Sequence, residues 1–281
     1  MKTILVPTDF SKPAHIAIKT AITLAKHLRA KVLVLHILEP THITKNSHES
    51  VFSDQELEQR YMKYLQDMAD MKLRNELQKL HTEVKIEHEA TIGYLFEVLN
   101  KHLAQDNVAF VVSGTHGMTA WQGQWNESNT EKLVRFAPCP ILAVKTEIAT
   151  LPIAKLVFAT NLKDVSNKVI QQIKYFQEML GSELRVLYIN TASNFQTQRE
   201  IEALHAKFQE TAKLKDYTFH VYADSEAEEG ILNYMQDEAC DMLALATRQR
   251  TGVAKWFSGS IAENLVNRSP FPIITFGLKN Q

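Results

Sequence analysis

Two tandem α/β domains, each a doubly wound parallel sheet of five strands with flanking helices, are predicted by this 281-residue sequence. Three observations carry that expectation. The first is a repeat. Thr3-Ile4-Leu5-Val6-Pro7-Thr8-Asp9 aligns with Lys155-Leu156-Val157-Phe158-Ala159-Thr160-Asn161, and Lys31–Ile37 aligns with Glu183–Ile189, both at an offset of 152. Ser128-x-x-Glu131 and Pro138-Cys139-Pro140-Ile141 recur as Ser260-x-x-Glu263 and Pro270-Phe271-Pro272-Ile273, at an offset of 132. A unit this long is a duplicated domain, because solenoid units run roughly 20–50 residues. The second observation is the alternation of short apolar runs with longer amphipathic stretches, the order of a βαβ protein. Third, the best of those runs are almost unbroken Val, Ile and Leu, as in strands covered on both faces.

Taken in order, the first half reads as strands at Ile4–Val6, Val32–Ile37, Val84–Glu89, Val108–Ser113 and Ile141–Val144. Ser11 is placed to cap the first helix, with Pro13 in its first turn and Ile18, Ala21, Ile22, Ala25 and Leu28 at helical spacing. A long helix with one apolar face spans about Asp54 to Leu80, carrying Leu57, Tyr61, Tyr64, Leu65, Met68, Leu73, Leu77 and Leu80. Helices over Tyr94–Leu103 and Asn129–Phe136 complete the half. The second half repeats the order, with strands at Leu156–Ala159, Leu184–Ile189, Thr218–Tyr222, Met242–Ala246 and Ile273–Phe276. Its helices fall over Val169–Leu180, Ile201–Leu214, Ile231–Glu238 and Ile261–Asn267. A short linker from Thr146 to Ala154, stiffened by Pro152, separates expected domains at 1–146 and 153–279. The first half's extra length lies between Glu39 and Asp54, a polar segment expected as a loop overhanging the ligand end of the sheet.

Bulk properties exclude several classes. With 45% hydrophobic residues the chain can bury two ordinary cores. A net charge of −1 argues against a broad footprint for nucleic acid or an anionic membrane. Cys139 and Cys240 are the only cysteines, which is no disulfide framework and favours a reducing compartment. The start has no apolar segment of a leader, and no run reaches the roughly 18 apolar residues of a membrane span, so a cytoplasmic location is expected.

Ligands of doubly wound sheets sit beyond the carboxyl ends of the strands, where strand order reverses. The residues there carry the candidate chemistry. Thr8-Asp9 closes the first strand, and a carboxylate in that place accepts from ribose or base donors. Ile37, ending the second strand, offers a flat apolar contact to a base. Gly114-Thr115-His116-Gly117 follows the fourth strand, and Glu127-Ser128 opens the last helix. Glycines let backbone approach a ligand, and a serine at a helix start adds a hydroxyl to free N–H groups, which suits phosphate. Each feature also has a structural reading: Asp9 as a brace for the first helix, Gly114-x-x-Gly117 as a turn, and both Ser-x-x-Glu patterns as capping boxes. The eleven histidines show no metal spacing. Neither a G-x-S-x-G elbow nor a G-x-x-x-x-G-K-[ST] loop is present, so fast phosphoryl transfer is not expected.

The start Ile4-Leu5-Val6-Pro7-Thr8-Asp9-Phe10-Ser11, the Gly114–Gly117 segment and the ending Ser128–Lys145 together resemble the universal stress protein family in its tandem two-domain form. The resemblance covers nearly the whole chain. It implies a Rossmann-like fold of the adenine nucleotide alpha hydrolase-like type and a stress-response role. It further implies membership of either an ATP-binding group, with Mg, or a group without nucleotide. Carried over, Asp9 holds the ribose or base, Thr8 and Ile37 flank the base, and Gly114, Gly117 and Ser128 hold phosphates. Asn161, Ile189, Gly259 and Ser260 are the weaker second-half equivalents. The resemblance also implies pairing of the two domains through their last strands, Ile141–Val144 beside Ile273–Phe276, and leaves open a homodimer of two-domain chains.

Departures from the family signature set up the alternatives. Its third glycine is Glu127 in the first half, where a carboxylate meets the helix end that should receive an anion. In the second half the first two glycines are Ala246 and Gln249. One reading is therefore a partly degenerate adenine-nucleotide site in the first domain that works by binding. Another is a nucleotide-free module, sealed by Glu127 and Gln249, that docks a protein partner. A slow ATP hydrolase is the third. Trp121, Trp125 and Trp256 lie between the glycines and the terminal helices, as site cover, partner contact or core anchors.

Overall fold

The computed structural model describes residues 1–40, 55–105, 107–115, 129–163, 165–248 and 259–278. The chain forms two compact units, Met1–Ser113 and Gly114–Gln281. In the first, β1 (Thr3–Pro7), α1 (Lys12–Leu28), β2 (Lys31–Leu38), α2 (Gln55–Leu77), β3 (Ile86–Ile92), α3 (Leu95–Gln105) and β4 (Val108–Gly114) follow in turn. Strand order is β3-β2-β1-β4, all parallel, with a register shift between Thr3 and Ile4 where β1 meets β4. The apolar runs are the core, as expected: Ile4, Leu5, Val6, Phe110, Val111 and Val112 are all fully buried. Ser11 caps α1 by accepting from the Ala14 N–H (3.3 Å), and Arg29 ends it in the left-handed region at φ 50°.

The second unit holds α4 (Asn129–Phe136), β5 (Ile141–Val144), β6 (Lys155–Ala159), α5 (Asn167–Leu180), β7 (Glu183–Thr191), α6 (Gln198–Ala212), β8 (Tyr217–Asp224), α7 (Ala227–Asp237), β9 (Met242–Arg248), α8 (Gly259–Arg268) and β10 (Ile273–Leu278). Its strands run β5-β10-β9-β6-β7-β8, parallel throughout except for β5 against β10. The last strands of the two repeats pair as the family resemblance implies, Ile273 opposite Ala143, Ile274 opposite Leu142 and Thr275 opposite Ile141. The helices before them obey the same two-fold logic. Glu131 of α4 accepts from the Asn267 amide of α8, and Glu263 of α8 lies 3.7 Å from the Arg135 guanidinium of α4. Arg135 and Asn267 are equivalent positions, as are Glu131 and Glu263, so the contact is isologous within one chain.

One difference from the sequence expectation is physical. β3 begins two residues late and ends three late, because pairing of Val32–Leu38 with Ile86–Ile92 sets its bounds and the local polar alternation does not. The glutamates of the two Ser-x-x-Glu patterns each meet the other repeat's last helix, while Ser128 of the first expected capping box lies outside the described residues. A capping box forms at Thr197-x-x-Glu200, at the start of α6. Cys139 and Cys240 are both free and buried, and burial pushes the Cys139 thiol up to about 12. The part of the Glu39–Asp54 segment from residue 41 onward lies outside the described residues, as do all three tryptophans.

Candidate functional site

Strand β1 ends in a turn that the second repeat copies atom for atom. The Thr8 N–H extends the ladder to the Leu35 carbonyl (2.9 Å), and the Thr8 hydroxyl accepts from the Phe10 N–H (3.1 Å). Asp9 Oδ1 accepts from the Ser11 N–H (2.9 Å), and Phe10 takes φ 65°. After β6, Thr160 donates to Leu187 (3.0 Å) and accepts from Leu162 (3.1 Å). Asn161 Oδ1 accepts from Lys163 (3.0 Å), and Leu162 takes φ 64°. The left-handed residue sits third in both turns, held by the two side-chain acceptors before it. Thr8 and Thr160 are buried parts of this turn, whereas Asp9 is exposed.

Around the first turn stand three residues that sequence reasoning missed. His36, on β2, donates from Nδ1 to the Thr8 carbonyl (2.7 Å), since a carbonyl can only accept. Its ring lies 4.5 Å from that of Phe10, and the Lys72 ammonium of α2 sits 4.0 Å from the Phe10 ring centroid. The signal available was the swap of His36 for Tyr188 at matching strand positions. Lys72 gave none. In the second repeat the matching Leu162 and Tyr188 are both buried, an apolar plug in place of a polar stack.

Burial is the main force lowering the His36 pKa below 6.5, with Lys72 lowering it further. The Thr8 hydrogen bond and Asp9 oppose that fall. The unfolded chain thus holds more protons on this ring than the folded one between the folded pKa and 6.5, so stability is complete above that window and declines as pH drops through it. Thermal melts of His36→Asn are expected to lose less stability between pH 7 and pH 5 than the parent. Part of the decline remains, because burial also lowers the pKa values of His205 and His220. An unchanged slope would show that His36 titrates as in the unfolded chain.

Among the remaining candidates, Ile37 is half-buried near the end of β2, while Ile189 is buried beside Gly230 of α7. Gly114 ends β4, and its carbonyl accepts from the Thr130 hydroxyl of α4 (2.9 Å). Ala246 lies within β9, which runs on to Arg248, with Thr247 and Arg248 paired to Gly277 and Leu278 of β10. Gly259 and Ser260 open α8. Gly117, Ser128, Glu127 and Gln249 lie outside the described residues. Among the described residues no group of histidine, cysteine or acidic side chains is placed to hold a metal ion, and no helix is long and apolar enough to cross a membrane.

Comparison with known proteins agrees with this twofold architecture. The model of the universal stress protein family matches residues 1–145 and again 152–276. A universal stress protein of Synechocystis is 23% identical over 297 aligned positions, covering 98% of this chain and all of the relative. One from Methanocaldococcus jannaschii is 29% identical over 154, covering 51% of this chain and 94% of the relative. The crystal structure of a universal stress protein from Archaeoglobus fulgidus shares the fold at a TM-score of 0.72 and 16% identity, over 98% of each chain. With two matches that together span nearly its whole length, the chain belongs to the universal stress protein family, in a tandem, Rossmann-like form.

Proposed function

We propose that this chain is a cytoplasmic stress-response protein, with domains at 1–146 and 153–279, whose first repeat binds an adenine nucleotide and acts by occupancy, not turnover. One observation carries the reading. Both repeats build the same strand-end turn, and that turn needs only an acceptor oxygen, as Asn161 demonstrates. The negative charge of Asp9 is therefore surplus to the turn. An exposed carboxylate at the carboxyl end of a parallel strand, near the order reversal between β1 and β4, is placed to accept from ribose hydroxyls or a base amine. Thr8 and Ile37 belong to this nucleoside end. The family motif assigns the phosphates of ATP, with Mg, to Gly114, Gly117 and Ser128. The site is kept to the first repeat because Ala246 and Gln249 stand where the family signature has its first two glycines.

The test is calorimetric titration of the full chain with ATP at physiological Mg²⁺. Asp9→Asn is expected to weaken binding roughly 10- to 100-fold, the worth of one charged hydrogen bond, while leaving the melting temperature unchanged. Equal affinity in the variant removes Asp9 from the site. No binding up to millimolar ATP in the parent overturns the reading in favour of the nucleotide-free module. That second reading draws its own support in the second repeat from Ala246 and Gln249, in place of the first two glycines of the signature.

A further inference from the structure

Helix α2 has apolar side chains on two faces. The inner face is closed by buried Ala69 and Leu73 and by the Gln66 amide donating to the Ala90 carbonyl of β3 (2.7 Å). The outer face exposes Leu57, Tyr61, Tyr64, Met68 and Met71, with Tyr64 and Met71 at 58% and 56%. Single exposed apolar groups are ordinary, but these five follow one another at spacings of 4, 3, 4 and 3, the repeat of a helix–helix seam. The fold does not demand them. Helix α6, in the same place after the second strand of the second repeat, exposes no large apolar side chain.

The charges beside the seam select its occupant. Arg60 and Asp67 lie on one flank, each immediately before a seam residue, Tyr61 and Met68. If two α2 helices pack antiparallel with Tyr61 of one opposite Tyr64 of the other, Arg60 of each faces Asp67 of its mate, twice by symmetry. The stripe is complementary to itself. A parallel pair would instead set Asp67 of each helix against Lys72 of the other, and Lys72 is already engaged over the Phe10 ring. The Lys63–Asp67 ion pair (2.8 Å) is well exposed on both sides, so it holds Asp67 only weakly.

We infer that the outer face of α2 docks a second copy of this chain as an antiparallel helix pair. From Leu57 to Met71 the seam is about 21 Å long at 1.5 Å per residue. That is the small end of protein interfaces, and the dimer is accordingly weak and concentration-dependent. This inference stands apart from the nucleotide reading.

Sedimentation velocity of the full chain across about 1–200 μM tests it. The parent is expected to move from 32.0 kDa toward twice that mass, and Tyr64→Glu and Met68→Glu to stay monomeric. Arg60→Asp and Asp67→Arg should each self-associate at least about tenfold more weakly, because each sets like charges opposite one another. Mixing those two variants should restore association to parental strength, since the mixed dimer regains both opposite-charge pairs. That recovery also shows that neither variant is misfolded. A monomeric parent at the highest concentration overturns the proposal. So does a dimer indifferent to Tyr64→Glu, or a mixture that fails to recover.

Discussion

Ile274→Asp is expected to remove about 4–5 kcal/mol, a large share of the roughly 5–15 kcal/mol typical of a domain. Ile274 sits mid-strand in β10, opposite Leu142 of β5 on one side and Ala244 of β9 on the other. It is fully buried, as is Ala244, and Leu142 is 1% exposed. A carboxylate there is cut off from water and must either protonate or drag water into the sheet. Ile274→Val keeps the apolar surface and should cost only about 1 kcal/mol, which separates charge from size. The charge account makes a second demand. Burial raises the pKa of the introduced acid above its unfolded value, so the folded variant holds the extra proton and should recover stability, relative to the parent, as pH is lowered from 7 toward 5. Urea denaturation at both pH values reads both effects. A loss under about 2 kcal/mol, or one that does not shrink on acidification, would mean that this seam between the repeats is open to water.

Much of the architecture is legible in the sequence for a physical reason. Parallel strands covered on both faces cannot hide their apolar runs, so Ile4–Val6, Val32–Ile37 and Phe110–Val112 announce themselves, and the duplication lets each be checked twice. What escapes is whatever depends on partners distant in sequence. The bounds of β3 follow from its register against β2, because Glu87, His88 and Glu89 carry no apolar period of their own. Glu131 and Glu263 fit a local capping pattern, which says nothing of the contact each also makes to the other repeat's last helix, more than a hundred residues away. At the candidate site Thr8 and Asp9 stand out because Thr160 and Asn161 repeat them. Phe10, His36 and Lys72 do not, because they converge from three elements and only one of them is altered informatively between the repeats.

Gly230→Val is expected to destabilise by roughly 3 kcal/mol, although valine occupies the matching position, Val98, of the first repeat. A Cβ on Gly230 would stand 2.8 Å from Ile189 Cγ2 and 2.9 Å from Asp224 Cβ, closer than real side chains approach. Neither neighbour can yield cheaply. Ile189 is fixed in the ladder opposite Tyr222, and the Asp224 carboxylate accepts from the Asn233 amide (2.8 Å) and the Ser225 N–H (2.6 Å). The first repeat solves the same problem the other way round. There Gly93 provides the space, since a Cβ on it would lie 2.9 Å from Val98 Cγ2, and Ser225 stands at the equivalent place in the second repeat. Small and large residues have exchanged positions, so a residue imported alone from one repeat brings the clash without its relief. Gly230→Ala should cost less, about 1 kcal/mol, because the helix preference of alanine over glycine offsets part of the overlap. Chemical denaturation of the two variants checks both magnitudes and their order. If Gly230→Val were within about 0.5 kcal/mol of the parent, α7 would have to move off β7 freely, and Ile189 would then be available at the strand end of the second repeat as Ile37 is in the first.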